Sequence, residues 1–278
     1  MMKRAWGMFQ GVVANVFVAL FSITCIFPII WMIYSSLKTD KEFSLNILSL
    51  PAKPEFGNYS RAITEGRIGS YFMNSMFNTL SALVVVLVIS FITGYCISRF
   101  RFKGRTFIYY MFLSGMLIPI YALLIPIFVE FKTLGLLNKK FTLILPYIAF
   151  ALPTGVFLVE SSVESVPIEV EEAACIDGSS FLNTMFRIVM PMCKPVLSTV
   201  AILTFLHTWN EFPLALVLIR SNALKTMPIG LTNFVGSYTV NYPLMLAALV
   251  VSTLPVVIMY LLFYNQIMKG MTAGAVKG

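Results

Sequence analysis

The chain has 278 residues, of which 58% are hydrophobic and only 12% are Asp, Glu, Lys or Arg, with a formal net charge of +8. Its mean hydropathy is +0.86. Soluble globular domains carry about 25% charged residues, so this composition excludes one and describes an integral membrane protein whose solvent is lipid. The basic excess is ordinary for membrane topology, and no nucleic-acid partner is expected.

A helix spans a hydrocarbon core of about 30 Å with about 20 mostly apolar residues. Six such runs occur, at 12–34, 77–98, 107–129, 141–159, 196–219 and 244–264. Continuous apolar stretches such as Leu83-Val-Val-Val-Leu-Val-Ile89 reject a transmembrane barrel, whose strands alternate polar and apolar residues. The fold class is therefore an all-α integral membrane protein with six transmembrane helices, read as one domain over 1–278.

Lys3 and Arg4 precede the first run, but it exceeds the roughly 7–15 apolar residues of a signal-peptide core, so it is read as a mature helix. Leu37 to Phe72 is the longest polar stretch, and Pro51 and Pro54 mark an extended section within it. After the second run comes a short basic loop holding Arg99, Arg101, Lys103 and Arg105. The 20 Lys and Arg residues divide evenly between the two faces, so their count does not orient the chain. The density of that loop does: undiluted basic loops resist translocation, which places the amino terminus inside and, with an even number of spans, the carboxyl terminus as well. Pro28, Pro119, Pro126 and Pro146 are expected to kink their spans. The four cysteines, Cys25, Cys96, Cys175 and Cys193, form no CxxC pair and indicate neither a metal site nor a disulfide framework.

Between the fourth and fifth runs lies Pro167-Ile-Glu-Val-Glu-Glu-Ala-Ala-Cys-Ile-Asp-Gly178, followed by Ile188-Val-Met-Pro191. Nothing about crossing a bilayer requires this acidic segment. It reads as two short cytoplasmic helices meeting at a corner. Pro167 suits the first helical position, and Glu169, Glu171 and Glu172 complement the positive end of the dipole. Asp177-Gly178 suits the carboxyl end, with Gly178 in the left-handed conformation. Ser179 or Ser180 caps the second helix, in which Phe181, Met185, Ile188, Val189 and Met192 recur on one face. On these signals alone a solvated loop is as good a reading as a docking segment.

Glu172-Ala173-Ala174, three residues, Gly178, nine residues, Ile188, one residue and Met190-Pro191 resemble the EAA motif of the permease subunits of ATP-binding cassette importers, with Met190 where that family usually has Leu. The resemblance implies that the segment forms coupling helices, with Glu172, Ala173, Ala174, Asp177, Gly178, Ile188 and Pro191 meeting an ATPase dimer. Small alanines would let a partner surface approach, Glu172 would offer a charge-assisted hydrogen bond, and Gly178 would make the turn. Asn58-Tyr59, Trp209-Asn-Glu-Phe212, Lys225-Thr226 and the ending Gly270-Met-Thr-Ala-Gly-Ala-Val-Lys-Gly278 are similar to the carbohydrate-importer branch, of the type of the second maltose permease. That likeness implies a bacterial or archaeal cell membrane, a second permease subunit and an extracytoplasmic sugar-binding protein facing Leu37 to Phe72 and Arg220 to Tyr242. It also implies that this chain binds no cofactor, ATP and Mg being bound by the partner ATPase. A non-sugar solute is the alternative within the family.

In the fifth run His207, Asn210 and Glu211 are spaced to share one helical face. A carboxylate near the bilayer centre costs about 2.5–3.5 kcal/mol on insertion scales, so Glu211 must face protein or water. Either these groups line a hydrophilic path, with Trp209 offering a ring face to a sugar, or they set packing against the second permease. Both readings stand at this point. His207 is the one histidine, so no metal site is expected. No GxxxxGK[ST] phosphate loop and no nucleophile arrangement occurs, so the chain is read as a non-enzyme that draws its energy from elsewhere. The rival class is a proton-coupled secondary transporter using Glu211 and His207.

Overall fold

The computed structural model describes residues 11–234 and 241–264, together with the helical backbone of 2–10 and 265–275. All regular structure among the described residues is helical. The helices are α1 (Met2–Ser35), α2 (Asp40–Leu45), α3 (Gly57–Thr64), α4 (Ile68–Arg99), α5 (Arg105–Gly115), α6 (Ile120–Thr133), α7 (Ile144–Glu164) and α8 (Ile168–Ile176). After them come α9 (Phe181–Met192), α10 (Lys194–Trp209), α11 (Pro213–Leu218), α12 (Met227–Leu231) and α13 (Tyr242–Ala275).

Four of these are long and apolar enough to cross a membrane: Gly11–Ser35 of α1, α4, α7 and Tyr242–Tyr264 of α13. Two further candidates are bent pairs, α5 with α6 at 102° and α9 with α10 at 76°. The third expected span, 107–129, is therefore not one continuous helix. Met116 caps α5, and Pro119, in an extended conformation at ψ 128°, starts α6 in a new direction. The fifth expected span, 196–219, is also interrupted: α10 ends at Trp209, and Pro213 opens α11 as a separate helix. A proline at the first helical position has no N–H to leave unsatisfied, so restarting the helix there is less costly than carrying it through the ring. Pro28 and Pro126 lie inside α1 and α6, whereas α7 carries its interior proline at Pro153 and holds Pro146 in its first turn.

The chain packs as two compact units, Met1–Ile68 with Leu231–Thr253, and Gly69–Gly230 with Leu254–Gly278. In the first unit the loop after α1 is tied around Lys38, which is fully buried and donates from Nζ to the carbonyls of Asn46 and Ile47 at 3.1 and 2.9 Å. Its ammonium lies 5.4 Å from the ring centroid of Tyr34 and 5.8 Å from that of Phe43. Burial lowers the Lys38 pKa below the ordinary lysine value. Asn58 donates to the carbonyls of Ser36 and Lys38, which fastens α3 to the same knot.

A capping box starts α2: Thr39 Oγ1 accepts from the Glu42 N–H, and Glu42 accepts from the Thr39 N–H and, 3.2 Å away, from the Ala52 N–H. The Thr39 bond holds the Glu42 carboxyl below its usual value of 4.5. Because the folded-state pKa is depressed, this contribution is complete above pH 4.5 and is lost as the pH falls through the lowered value. Cleavage of residues 39–56 by an acid-tolerant protease is therefore expected to rise as the pH drops below that point. Glu42→Gln should open the loop at neutral pH, and equal protection at both pH values would contradict the assignment.

The second unit is built on α4 and α7. Their contact is close because Gly94 of α4 sits against Val159 and the Glu160 N–H, where a Cβ would come within 2.9 Å of that nitrogen. Gly155 of α7 lies against Ser90 in the same way. Val86, Phe91, Tyr95, Val159, Val163, Met185 and Val189 form one core at this end of α4. Ala82, Phe131, Tyr147, Leu214, Leu218 and Ile229 form another further along it. Asn138, with a left-handed φ of 55°, accepts from the N–H groups of Arg220 and Ser221 and so pins the end of the fifth apolar run to the loop before α7.

Candidate functional site

The segment 167–191 folds as the two short helices expected, α8 and α9, joined at Gly178. Pro167 stands just outside α8, in an extended conformation at ψ 133°, and not at its first helical position. At the other end Asp177 caps the helix, Gly178 has a φ of 81°, its N–H donates to the Cys175 carbonyl, and the Ser179 N–H donates to the Ala174 carbonyl. These two bonds form a Schellman motif, which needs a left-handed residue at the position Gly178 occupies. No atom lies within 4 Å of where a Gly178 Cβ would be, so conformation and not crowding is what demands glycine here.

Around this turn Glu172, Ala173, Cys175, Ile176, Asp177 and Gly178 are exposed, while Ala174 is buried. Ile176 is 86% exposed, an apolar tip. Ser180 precedes α9 but makes no side-chain capping bond; Ser179 Oγ instead accepts from Asn183 and lies 3.0 Å from the Thr184 hydroxyl. The middle turn of α9, Thr184–Val189, is π-helical. The wider i→i+5 turn shifts the predicted stripe. Met185 and Val189 are buried, Ile188 is half-buried, and Phe181, Met192 and Pro191 are exposed.

The three glutamates do not act alike. Glu172 is exposed, whereas the Glu171 side chain is 11% exposed and faces α4. Arg99 Nε donates to one Glu171 oxygen at 2.6 Å, and the Tyr95 hydroxyl donates to the other. Arg99 also donates from its terminal nitrogen to the Val166 carbonyl at 2.7 Å. Tyr95 and Arg99 are one turn apart on α4, so both reach the same carboxylate. Aromatic rings close the seam, with Phe181 of α9 5.9 Å from Tyr95 and 5.6 Å from Phe100. Arg99 thus belongs to a buried ion pair and not to the exposed basic loop; Arg101 and Lys103 remain exposed, and Arg105 is half-buried. A polar pair spaced i, i+4 at the end of an apolar helix was the available signal for this site, but its partner lies 72 residues away in sequence.

The residues read from the fifth run are separated by the break after Trp209. His207 and Asn210 are exposed, and Asn210 Nδ2 donates back to the Leu206 carbonyl at 2.9 Å. Glu211 points the other way and is 7% exposed. Its carboxylate accepts from the N–H groups of Leu214 and Ala215 at the start of α11, and from the Tyr147 hydroxyl at 3.0 Å. The three polar residues therefore do not share one face, because the helix that would have aligned them stops at Trp209, between the first and the second. Trp209 is 1% exposed, stacked on Phe205 at 5.6 Å and met by the edge of Phe72. His207 opens onto a recess of about 210 Å³ that Phe150, Thr154, Gly155, Leu203 and Thr204 also line. Glu160, beyond the end of the fourth apolar run, is a second buried carboxylate, and Tyr109 of α5 interacts with it.

Residues 86–272 match the family of binding-protein-dependent transport system inner membrane components. The chain is 35% identical over 264 residues to the diacetylchitobiose uptake system permease protein NgcG of Streptomyces coelicolor, covering 94% of this chain and 87% of that one. To the trehalose/maltose transport system permease protein MalG of Thermococcus litoralis it is 34% identical over 262 residues, covering 93% and 94%. A solved chain from a bacterial ABC transporter involved in importing the acidic polysaccharide alginate superposes with a TM-score of 0.82 at 25% identity, covering 92% of this chain and 96% of that one. This chain belongs to the family of binding-protein-dependent transport system inner membrane components.

Proposed function

We propose that this chain is a permease subunit of an ATP-driven importer of a sugar or oligosaccharide. It forms half of the translocation path, pairs with a second permease, and takes its energy from an ATPase dimer seated on α8 and α9. The observation that carries this reading is the exposed turn at Gly178. A membrane protein has no internal use for a rigid corner that presents Glu172, Ala173, Ile176 and Asp177 to solvent while burying the neighbouring Glu171. The relatives supply the solute class, since the transport systems named above are those for diacetylchitobiose, trehalose/maltose and alginate.

On this reading α8, α9 and both termini lie on the cytoplasmic side, and residues 37–72 and 220–242 face the extracytoplasmic binding protein. Residues 235–240 of the second loop and 276–278 at the carboxyl end lie outside the described residues. ATP and Mg are bound and turned over by the partner ATPase, and this chain is no enzyme. Closure of the ATPase pair on ATP moves α8 and α9, the permease halves rock, and the path opens to the side where the binding protein delivers its sugar; hydrolysis resets them. His207 and Asn210, exposed at the end of α10, are the residues placed to exchange hydrogen bonds with sugar hydroxyls, and Trp209 supports them from the core.

A proton-coupled transporter would need Glu211 free to face the path. Its carboxylate is instead committed to two backbone N–H groups and a tyrosine, the arrangement of a helix cap. Purification in mild detergent separates the two classes: the importer reading expects an ATP-binding subunit to accompany this chain, and uptake to require ATP. A stable lone chain with proton-driven uptake would contradict it.

A further inference from the structure

Helix α4 is fastened at both ends, and the fastenings are of a kind that transmits movement. At its carboxyl end Arg99 and Tyr95 hold Glu171 of α8, and Arg99 also holds the Val166 carbonyl. Val166 lies in the short linker 165–167 between α7 and α8. One guanidinium therefore grips both sides of the joint on which α8 would otherwise swing. A planar fork with fixed donors suits that task better than a lysine point charge.

At the amino-terminal end Asn74 Nδ2 donates to the carbonyls of Ala223 and Lys225 at 2.8 and 3.0 Å, and Ser75 Oγ accepts from the Met227 N–H at 2.8 Å. About 38 Å of helix rise separates Asn74 from Arg99. No proline interrupts α4, and its carboxyl-terminal third is packed closely on α7 at Ser90 and Gly94. Movement at one end of such a rod reaches the other end with little lost in bending.

We infer that α4 is a strut that carries the displacement of the coupling segment to the loop at 223–227, with Arg99, Glu171 and Asn74 as its positioning residues. This rests on the coupling role proposed above, in that α8 must be moved by the ATPase. It adds a division of labour between adjacent glutamates: Glu172 faces the partner, and Glu171 passes the motion inward. It also makes the two ends of α4 a series linkage, so that breaking either one disconnects both.

The test places a spin label at Asn222→Cys, an exposed position beside the loop, in a chain whose own exposed cysteines Cys25 and Cys175 are replaced. The complete complex in nanodiscs is given ATP with vanadate, and the label's spectral response is recorded alongside basal hydrolysis and retention of the ATPase subunit. Arg99→Gln, Glu171→Gln and Asn74→Ala are each expected to keep the ATPase subunit and basal hydrolysis while cutting the response by about tenfold. Arg99→Lys should fall between these and the unmodified chain. Arg99→Gln with Asn74→Ala together should cost no more than either alone, the mark of two breaks in one chain of transmission. A full response in Arg99→Gln and Glu171→Gln would overturn the strut, as would additive losses in the double variant or loss of the ATPase subunit from the single ones. A wild-type chain that retains no ATPase subunit would instead overturn the coupling reading beneath it.

Discussion

Gly178→Asp abolishes sugar uptake and the coupling of ATP hydrolysis to it, with the chain still inserted in the membrane at normal abundance. The expectation follows from the backbone. Gly178 has a φ of 81°, and its N–H and that of Ser179 complete the Schellman motif that ends α8. A side chain in the left-handed region costs about 1–2 kcal/mol, and the conformation relaxes towards the right-handed one to escape it. Relaxation breaks the two bonds and swings Glu172, Ala173 and Ile176 off the geometry of the corner. Because the site is open, with nothing within 4 Å of a Cβ, bulk is not the cause. Asparagine and aspartate both visit the left-handed region, so Gly178→Asn, similar in shape but uncharged, should keep most uptake where the carboxylate of Gly178→Asp leaves none. The added carboxylate also places a charge in the docking face, and Gly178→Ala, with strain but no charge, should lie between the two. Uptake assays paired with membrane immunodetection decide it.

Glu211→Ala is expected to be the most damaging single change to stability in the second unit. Three donors converge on this carboxylate, the N–H groups of Leu214 and Ala215 and the Tyr147 hydroxyl, and all are buried. Alanine leaves them without an acceptor, at a cost of about 1–3 kcal/mol for each group that water cannot reach. α11 loses its start, and with it the packing of Leu214 and Leu218 into the core that includes Phe131 and Ile229. Glu211→Gln retains one acceptor oxygen and should lose roughly half as much. Thermal unfolding of the purified complex reads the loss. If Glu211 were instead a proton carrier, Glu211→Gln would leave the melting temperature unchanged while removing transport.

The contrast between Glu211 and Glu171 shows what periodicity can and cannot reveal. Apolar runs announce spans because lipid demands about 20 residues without charge, and α1, α4, α7 and α13 lie where those runs lie. The EAA spacing announced the turn at Gly178, because a glycine after an acidic, alanine-rich helix has a local backbone reason. Breaks inside apolar runs were less legible. Pro119 and Pro213 could kink a helix or restart one, and the choice depends on partners distant in sequence: Tyr147, for one, donates to the Glu211 carboxylate beside the second break. The shared face assumed for His207, Asn210 and Glu211 failed for that reason. Arg99 was read as a topological charge because its partner Glu171 is 72 residues away, a pairing that only the fold brings about. Glu160 escaped notice because α7 continues past the end of its apolar run to Glu164.

The central claim is that an ATPase subunit sits on the corner formed by α8 and α9. Its most direct test is a photo-crosslinker placed at Ile176, which is 86% exposed at the tip of that corner. In a complex competent for uptake, irradiation should join this chain to an ATP-binding subunit, and ATP with vanadate should alter the yield. An uptake-competent complex in which position 176 yields only lipid adducts, or no adduct to an ATPase, would contradict the account.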